Sequence, residues 1–98
     1  MLILFYFRWI GTPEELKEFV GRMKNISDGI EGIDLKGVFT PPTSEWNACM
    51  LYEATSFEKG IETYRTYNQK YGPNPKLPLG HAELLYPFEE VKGYSVTL

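Results

Sequence analysis

The hydrophobic pattern begins with an almost unbroken apolar run, Leu2–Trp9, in which Arg8 is the only charged residue. Four of its side chains are aromatic, and Gly11 and Pro13 end it. The run is too short to cross a bilayer and is typical of a strand buried on both faces. Such a strand needs neighbours on both sides, so the pattern predicts that it lies at the centre of a sheet.

A helical pattern follows at once. Thr12–Glu15 combines a capping box with proline at the first helical position. Apolar residues then recur at i, i+3, i+4 and i+7, at Leu16, Phe19, Val20 and Met23. The spacing predicts a helix over 13–25. Residues 33–39 and 47–54 are expected to form two further strands, the first half-exposed at a sheet edge, and their short connection favours antiparallel pairing.

The second half repeats the helix–strand order. Ser56 is expected to cap a helix that ends at Gly72 and Pro73, with a stripe on one side at Phe57, Ile61, Tyr64, Asn68 and Tyr71. A stiff proline-rich connector then leads to a strand over 81–88. Residues 94–98 alternate between apolar and polar, which predicts a short tail strand that adds to a sheet edge in its own subunit or in a partner.

The element order is therefore β-α-β-β-α-β, and it predicts one α+β domain over residues 1–98. Its layout is the ferredoxin-like one, a four-stranded antiparallel sheet with both helices on one face. We expect the first and third strands to lie side by side at the centre and to run parallel. The other face stays open, and alternation leaves it rich in leucine and tyrosine, too apolar for water. This favours a homodimer.

The chain resembles the dimeric α/β-barrel superfamily, which includes antibiotic-biosynthesis monooxygenases, stress-responsive barrel proteins, muconolactone isomerases and small uncharacterised families. The resemblance is one of layout: the apolar strand Leu2–Trp9, a middle strand ending in Glu53-Ala54, and the helix Ser56–Tyr71. It implies two sheets packed face to face around a cavity. No residue of a family signature is present to be carried over.

One cluster could carry chemistry. With parallel central strands, four polar residues would meet at one end of the open face and could act as a general base or hold an anion. These candidate catalytic residues are Arg8, Glu53, His81 and Glu83, and the candidate ligand contacts are Tyr6, Cys49 and Leu51. The alternative is that Arg8 and Glu53 form a structural ion pair while His81 is solvated.

A second candidate is aromatic. Tyr64, Tyr67 and Tyr71 could line a pocket with Tyr52 and Trp46. The alternative follows from the helical spacing, which puts Tyr64 and Tyr71 in the core and Tyr67 on the surface.

Composition narrows the partners. Cys49 is the single cysteine and His81 the single histidine, so we expect no disulfide, metal site or cofactor, and Cys49 is expected to be a small packed residue. The net charge is −3, basic residues are scattered, and residues 47–54 lack a basic glycine-aromatic segment, so nucleic acid is excluded as an expected partner. No membrane span or signal peptide is recognised, which favours the cytoplasm.

These observations lead to a functional expectation with one alternative. The expectation is a cytoplasmic homodimer that binds a small molecule between its sheets and could act as a monooxygenase- or isomerase-like enzyme. The alternative is a non-catalytic structural or regulatory dimerisation domain whose sheet faces are fully packed. The volume enclosed between the sheets distinguishes the two.

Overall fold

The computed structural model describes residues 1–41 and 45–97. Within them the elements are β1 Leu2–Arg8, α1 Pro13–Asp28, β2 Ile33–Phe39, β3 Ala48–Ala54, α2 Phe57–Tyr71, β4 Leu79–Leu85 and α3 Phe88–Lys92. The predicted order through β4 is confirmed. Within the described ranges, no helix has the length and apolar character needed to cross a membrane.

The four strands form one sheet in the order β2-β3-β1-β4, and every neighbouring pair is antiparallel. This is the ferredoxin-like arrangement of an α+β protein. The expected parallel alignment of the first and third strands is wrong. The α1 crossover makes β2 parallel to β1, and the following connection reverses the chain, so β3 enters between them in the opposite direction.

Helix α1 begins with the predicted capping box. The Thr12 hydroxyl accepts a hydrogen bond from the Glu15 N–H at 3.1 Å, and the Glu15 carboxylate accepts one from the Thr12 N–H at 3.0 Å. The helix continues beyond the predicted end to Asp28. An ion pair between Lys24 and Asp28 at 2.9 Å spans its last turn, and the buried Ser27 hydroxyl donates to the Lys24 carbonyl.

The core lies between the sheet and the two long helices, as alternation predicts. Phe7 is fully buried, and the Trp9 and Phe19 rings stack with their centroids 5.5 Å apart. Met23 and Met50 fill the remaining space without any exposed surface. The apolar sets of β1 and β3 therefore lie beneath the helices.

Helix α2 presents a different side to the core than the predicted stripe. Thr63 and Tyr67 are buried, whereas Tyr71 is 40% exposed and Phe57 and Ile61 are also exposed. The Tyr67 ring packs edge-on against Phe19 of α1, and the Thr63 hydroxyl is satisfied by the Lys59 carbonyl. The prediction that Tyr67 is on the surface and Tyr71 in the core is wrong. Ser56 precedes the helix, but its side chain makes no capping hydrogen bond.

The C-terminal region also departs from the prediction. Strand β4 ends at Leu85 rather than at residue 88, because Pro87 is followed by the short helix α3. Residues 94–97 form no strand, so the expected tail strand is wrong for them, and Leu98 lies outside the described residues.

Asp34 joins α1 to β2 through two lysines, at 3.3 Å from Lys24 and 2.9 Å from Lys36. Hydrogen bonds from Lys36 and then Lys24 lower the Asp34 pKa below its ordinary value of 3.8. A lowered carboxyl pKa stabilises the fold above the unfolded pKa, and this contribution is lost as the pH falls through the folded pKa.

We therefore expect an NMR pH titration to show Asp34 ionising below its ordinary range, and Lys36→Gln to raise its pKa. Lys59→Gln is the matched control, because Lys59 pairs with Glu62 on α2 and should leave Asp34 unchanged. An Asp34 pKa that does not respond to Lys36→Gln would contradict the assignment.

Candidate functional site

The candidate site is the sheet face turned away from the helices, called here the open face. Directly paired residues of neighbouring strands share a face, so the register defines its members. Three rows cross it: Leu2 with Glu53 and Leu85, Leu4 with Leu51 and Glu83, and Tyr6 with Cys49 and His81; Arg8 faces Leu79 beyond them. All seven sequence candidates thus lie on this face.

Arg8 and Glu53 are not neighbours on it. Glu53 pairs with Leu2, six positions from Arg8 along β1, a separation of about 20 Å. Both the expected cluster and the alternative Arg8–Glu53 ion pair within one chain are therefore wrong, because β3 runs antiparallel to β1. Glu53 instead lies 3.6 Å from the Lys36 amine.

His81 sits in open surroundings. Its Nε2 is 3.4 Å from the Glu83 carboxylate, and its ring stacks on Trp46 with centroids 6.4 Å apart and planes 10° apart. About half of each of the His81 and Glu83 side chains is exposed. A general base works best in a water-excluded site, and this pair is not enclosed. Among the described residues, no group of three or more His, Cys, Asp or Glu is placed to hold a metal ion.

A side-chain clamp positions Trp46. The next residue, Asn47, accepts a hydrogen bond from the Trp9 N–H at 2.7 Å and donates one to the Trp9 carbonyl at 2.8 Å. This bidentate contact extends the β1–β3 pairing by one position and holds the start of β3. Sequence reasoning missed the Trp46–His81 stack. The predicted aromatic pocket is wrong, since Trp46 lies on the open face while Tyr67 belongs to the core.

Most of the open face is apolar. Leu4 and Leu51 are half-buried at its centre, and exposed apolar side chains surround them: Leu2, Phe39, Leu79 and Leu85. Cys49 is only 5% exposed, and its pKa is raised mainly by burial and further by the Glu83 carboxylate. A protonated, buried thiol behaves as a small apolar group, in keeping with the packed role predicted for Cys49.

A cleft that sequence reasoning missed opens on the other side of the sheet. Helix α2 packs toward β3 and leaves β4 uncovered, and the space between α2 and β4 has a volume of about 580 Å³. Apolar residues form most of its lining: Ile3, Phe5, Phe57, Ile61, Tyr64 and Ala82. The Tyr64 hydroxyl is buried without a hydrogen-bond partner among the described residues, and burial raises its pKa well above the usual value.

Comparisons with known proteins add little at the level of sequence. No protein-family model matches the chain, and no curated protein matches it. Among solved structures, the chain is similar to the 30S ribosomal protein S6 from Thermotoga maritima, with 16% identity and a TM-score of 0.47. The match covers 94% of this chain and 91% of that chain.

Two expectations are corrected. The expected small-molecule-binding homodimer with monooxygenase or isomerase chemistry is wrong, because Arg8 and Glu53 lie at opposite ends of the open face and the His81–Glu83 pair is open to solvent, so the non-catalytic alternative agrees better. The exclusion of nucleic acid as a partner is withdrawn. Scattered basic residues argue only against strong attraction to phosphate groups. They do not exclude nucleic acid as a partner. The resemblance to dimeric α/β barrels holds at the level of the ferredoxin-like fold.

Proposed function

We propose that residues 1–98 form a non-catalytic dimerisation domain, in which the open faces of two copies pack against each other without enclosing a cavity. The observation that carries this proposal is the apolar open face, centred on Leu4 and Leu51 and covered by no element of the described chain. Contiguous apolar patches of this kind mark interaction surfaces in soluble proteins.

The size of the face supports a modest interface. Four strands about 4.8 Å apart and seven residues long, at about 3.3 Å per residue, give a face of about 450 Å² in projection. When the area of the projecting side chains is added, the surface that two such faces bury together approaches the lower bound of about 1,200 Å² for specific interfaces.

The charges on the face are self-complementary under one two-fold axis. An axis in the plane of the interface and perpendicular to the strands reverses the strand direction between copies. It therefore brings the Arg8 end of one copy over the Glu53 end of the other. An isologous interface needs such pairing, since each patch meets its own copy.

Sedimentation velocity across a micromolar concentration series tests the proposal. We expect a monomer–dimer equilibrium, and a parallel series with single-stranded RNA oligonucleotides tests for a different occupant of the open face. A chain that stays monomeric throughout, or one whose open face binds the RNA instead of a second copy, would overturn the proposal.

The two-fold arrangement predicts a charge-swap result. Arg8→Glu and Glu53→Arg should each weaken the dimer by about threefold to tenfold, because each places like charges together twice. The double variant should restore the dissociation constant, which sedimentation measures. Additive weakening in the double variant would show that the two residues do not meet across the axis.

A further inference from the structure

The C-terminal part of the chain is exposed throughout. Every residue from 78 to 97 is solvent-exposed, including eight large apolar ones: Leu79, Leu84, Leu85, Tyr86, Phe88, Val91, Tyr94 and Val96. The radius of gyration is 14.5 Å, whereas a compact chain of this length has about 12.6 Å. Residues 86–97, called here the arm, therefore add apolar surface that the body of the protein does not cover.

The arm is nevertheless internally ordered. Gly93 takes a left-handed conformation, with φ of 77°, and its N–H bonds to the Glu89 carbonyl. The Ser95 hydroxyl donates to the Glu89 carboxylate, and the Phe88 and Tyr94 rings meet edge-on at 5.2 Å. These contacts fold the tail back on α3, so the arm forms a preorganised apolar knob, which lowers the entropic cost of docking.

The cleft between α2 and β4 matches this knob in character. Its floor is apolar, from Ile3 and Phe5, and Arg65 stands on its α2 side. Arg65 forms no ion pair with any residue that the structure describes, and neither does Glu90 of the arm. The arm thus offers apolar side chains and a carboxylate without an ion pair, and the cleft offers an apolar lining and a guanidinium without an ion pair. The two surfaces are complementary in polarity and in charge.

The arm does not enter the cleft of its own chain. Only Tyr86 and Pro87 link β4 to α3, and Pro87 continues in extended backbone with φ of −53° and ψ of 131°. This short link holds α3 beyond the end of β4, and none of residues 86–97 is among the residues that line the cleft. A second copy has no such restriction.

We propose that the arm of one copy docks in the α2/β4 cleft of a second copy, with Phe88 and Val91 in the cleft and Glu90 against Arg65. Exchange of an identical element between two copies is a low-cost route to a dimer. The contact shares its partner with the proposed function but uses a different surface, so either contact can fail while the other stands.

Disulfide trapping between two differently tagged chains tests the docking. Both chains carry Cys49→Ala; one carries Ile61→Cys in the cleft and the other Val91→Cys in the arm. We expect a cross-linked heterodimer to form at least about tenfold faster than for Ile61→Cys mixed with Ile10→Cys, a control position that is 60% exposed outside the arm. A rate no faster than this control would overturn the proposal.

Two further variants sharpen the result. A single chain with both cysteines should not close on itself when diluted, and rapid intrachain closure would overturn docking in a second copy. Arg65→Glu should slow heterodimer trapping about fivefold, and adding Glu90→Arg should restore it. We expect trapping to persist in a Leu51→Asp background, in which the open-face interface is lost. This result would show that the two contacts are independent.

Discussion

Replacing Leu51 with aspartate is expected to turn the proposed dimer into a monomer. Leu51 lies at the centre of the open face, directly between Leu4 of β1 and Gly37 of β2. In a face-to-face dimer each copy would bury an unpaired carboxylate, which costs several kcal/mol. Symmetry applies the cost twice, so we expect the dissociation constant to rise more than about 100-fold, corresponding to over about 2.7 kcal/mol.

The isolated chain should tolerate this change, because Leu51 is only half-buried there. Sedimentation gives the dissociation constant, and circular dichroism reports whether the fold survives. Ile10→Asp is the matched control, since Ile10 is exposed on the loop after β1. A Leu51→Asp protein that dimerises as well as the Ile10→Asp control would show that the open face is not the interface.

Replacing Phe7 with alanine is expected to lower the free energy of unfolding by about 3–5 kcal/mol. Phe7 has no exposed surface, and its ring centroid lies 5.5 Å from that of Phe5, 6.4 Å from Trp9 and 6.1 Å from Phe19. Truncation leaves a cavity that this aromatic cluster cannot close. Since domains of this size have only about 5–15 kcal/mol of stability, the variant should approach the limit of folding.

Urea unfolding in the Leu51→Asp background measures this loss without a contribution from dimerisation. Tyr6→Ala is the matched control, because Tyr6 is the adjacent aromatic residue of β1 but faces the open side and is half-buried. We expect Tyr6→Ala to cost about 1–2 kcal/mol in that background. Equal losses from Phe7 and Tyr6 would contradict the division of β1 into a core face and an open face.

The element order and the faces of the central strands follow from local sequence. The capping box at Thr12–Glu15, the alternation of Leu2–Trp9 and the glycine-proline ends of the helices act within a few residues, so their outcome can be predicted without knowing the rest of the fold. Of the candidate site, the same alternation predicts which side chains share the open face, and no more than that.

The direction in which β3 enters the sheet follows from the element order. The α1 crossover makes β2 parallel to β1 and the short β2–β3 connection reverses the chain, so the element order already separates Arg8 from Glu53 along β1, and the expected parallel alignment was wrong. The side of α2 that faces the core depended instead on its packing against α1, where the Tyr67 ring meets Phe19. The cleft beside β4 arises from where α2 rests on the sheet, which no local pattern records.

The sequence by itself thus determined where strands and helices form, and which side chains of β1 and β3 share a face of the sheet. This is because hydrophobic period and capping are local properties. Only the tertiary structure decided which side of α2 faces the core, the cleft between α2 and β4, and the exposed arm that replaces the predicted tail strand. These depend on long-range packing between segments distant in the chain, whose balance of burial and chain entropy no short stretch of sequence contains.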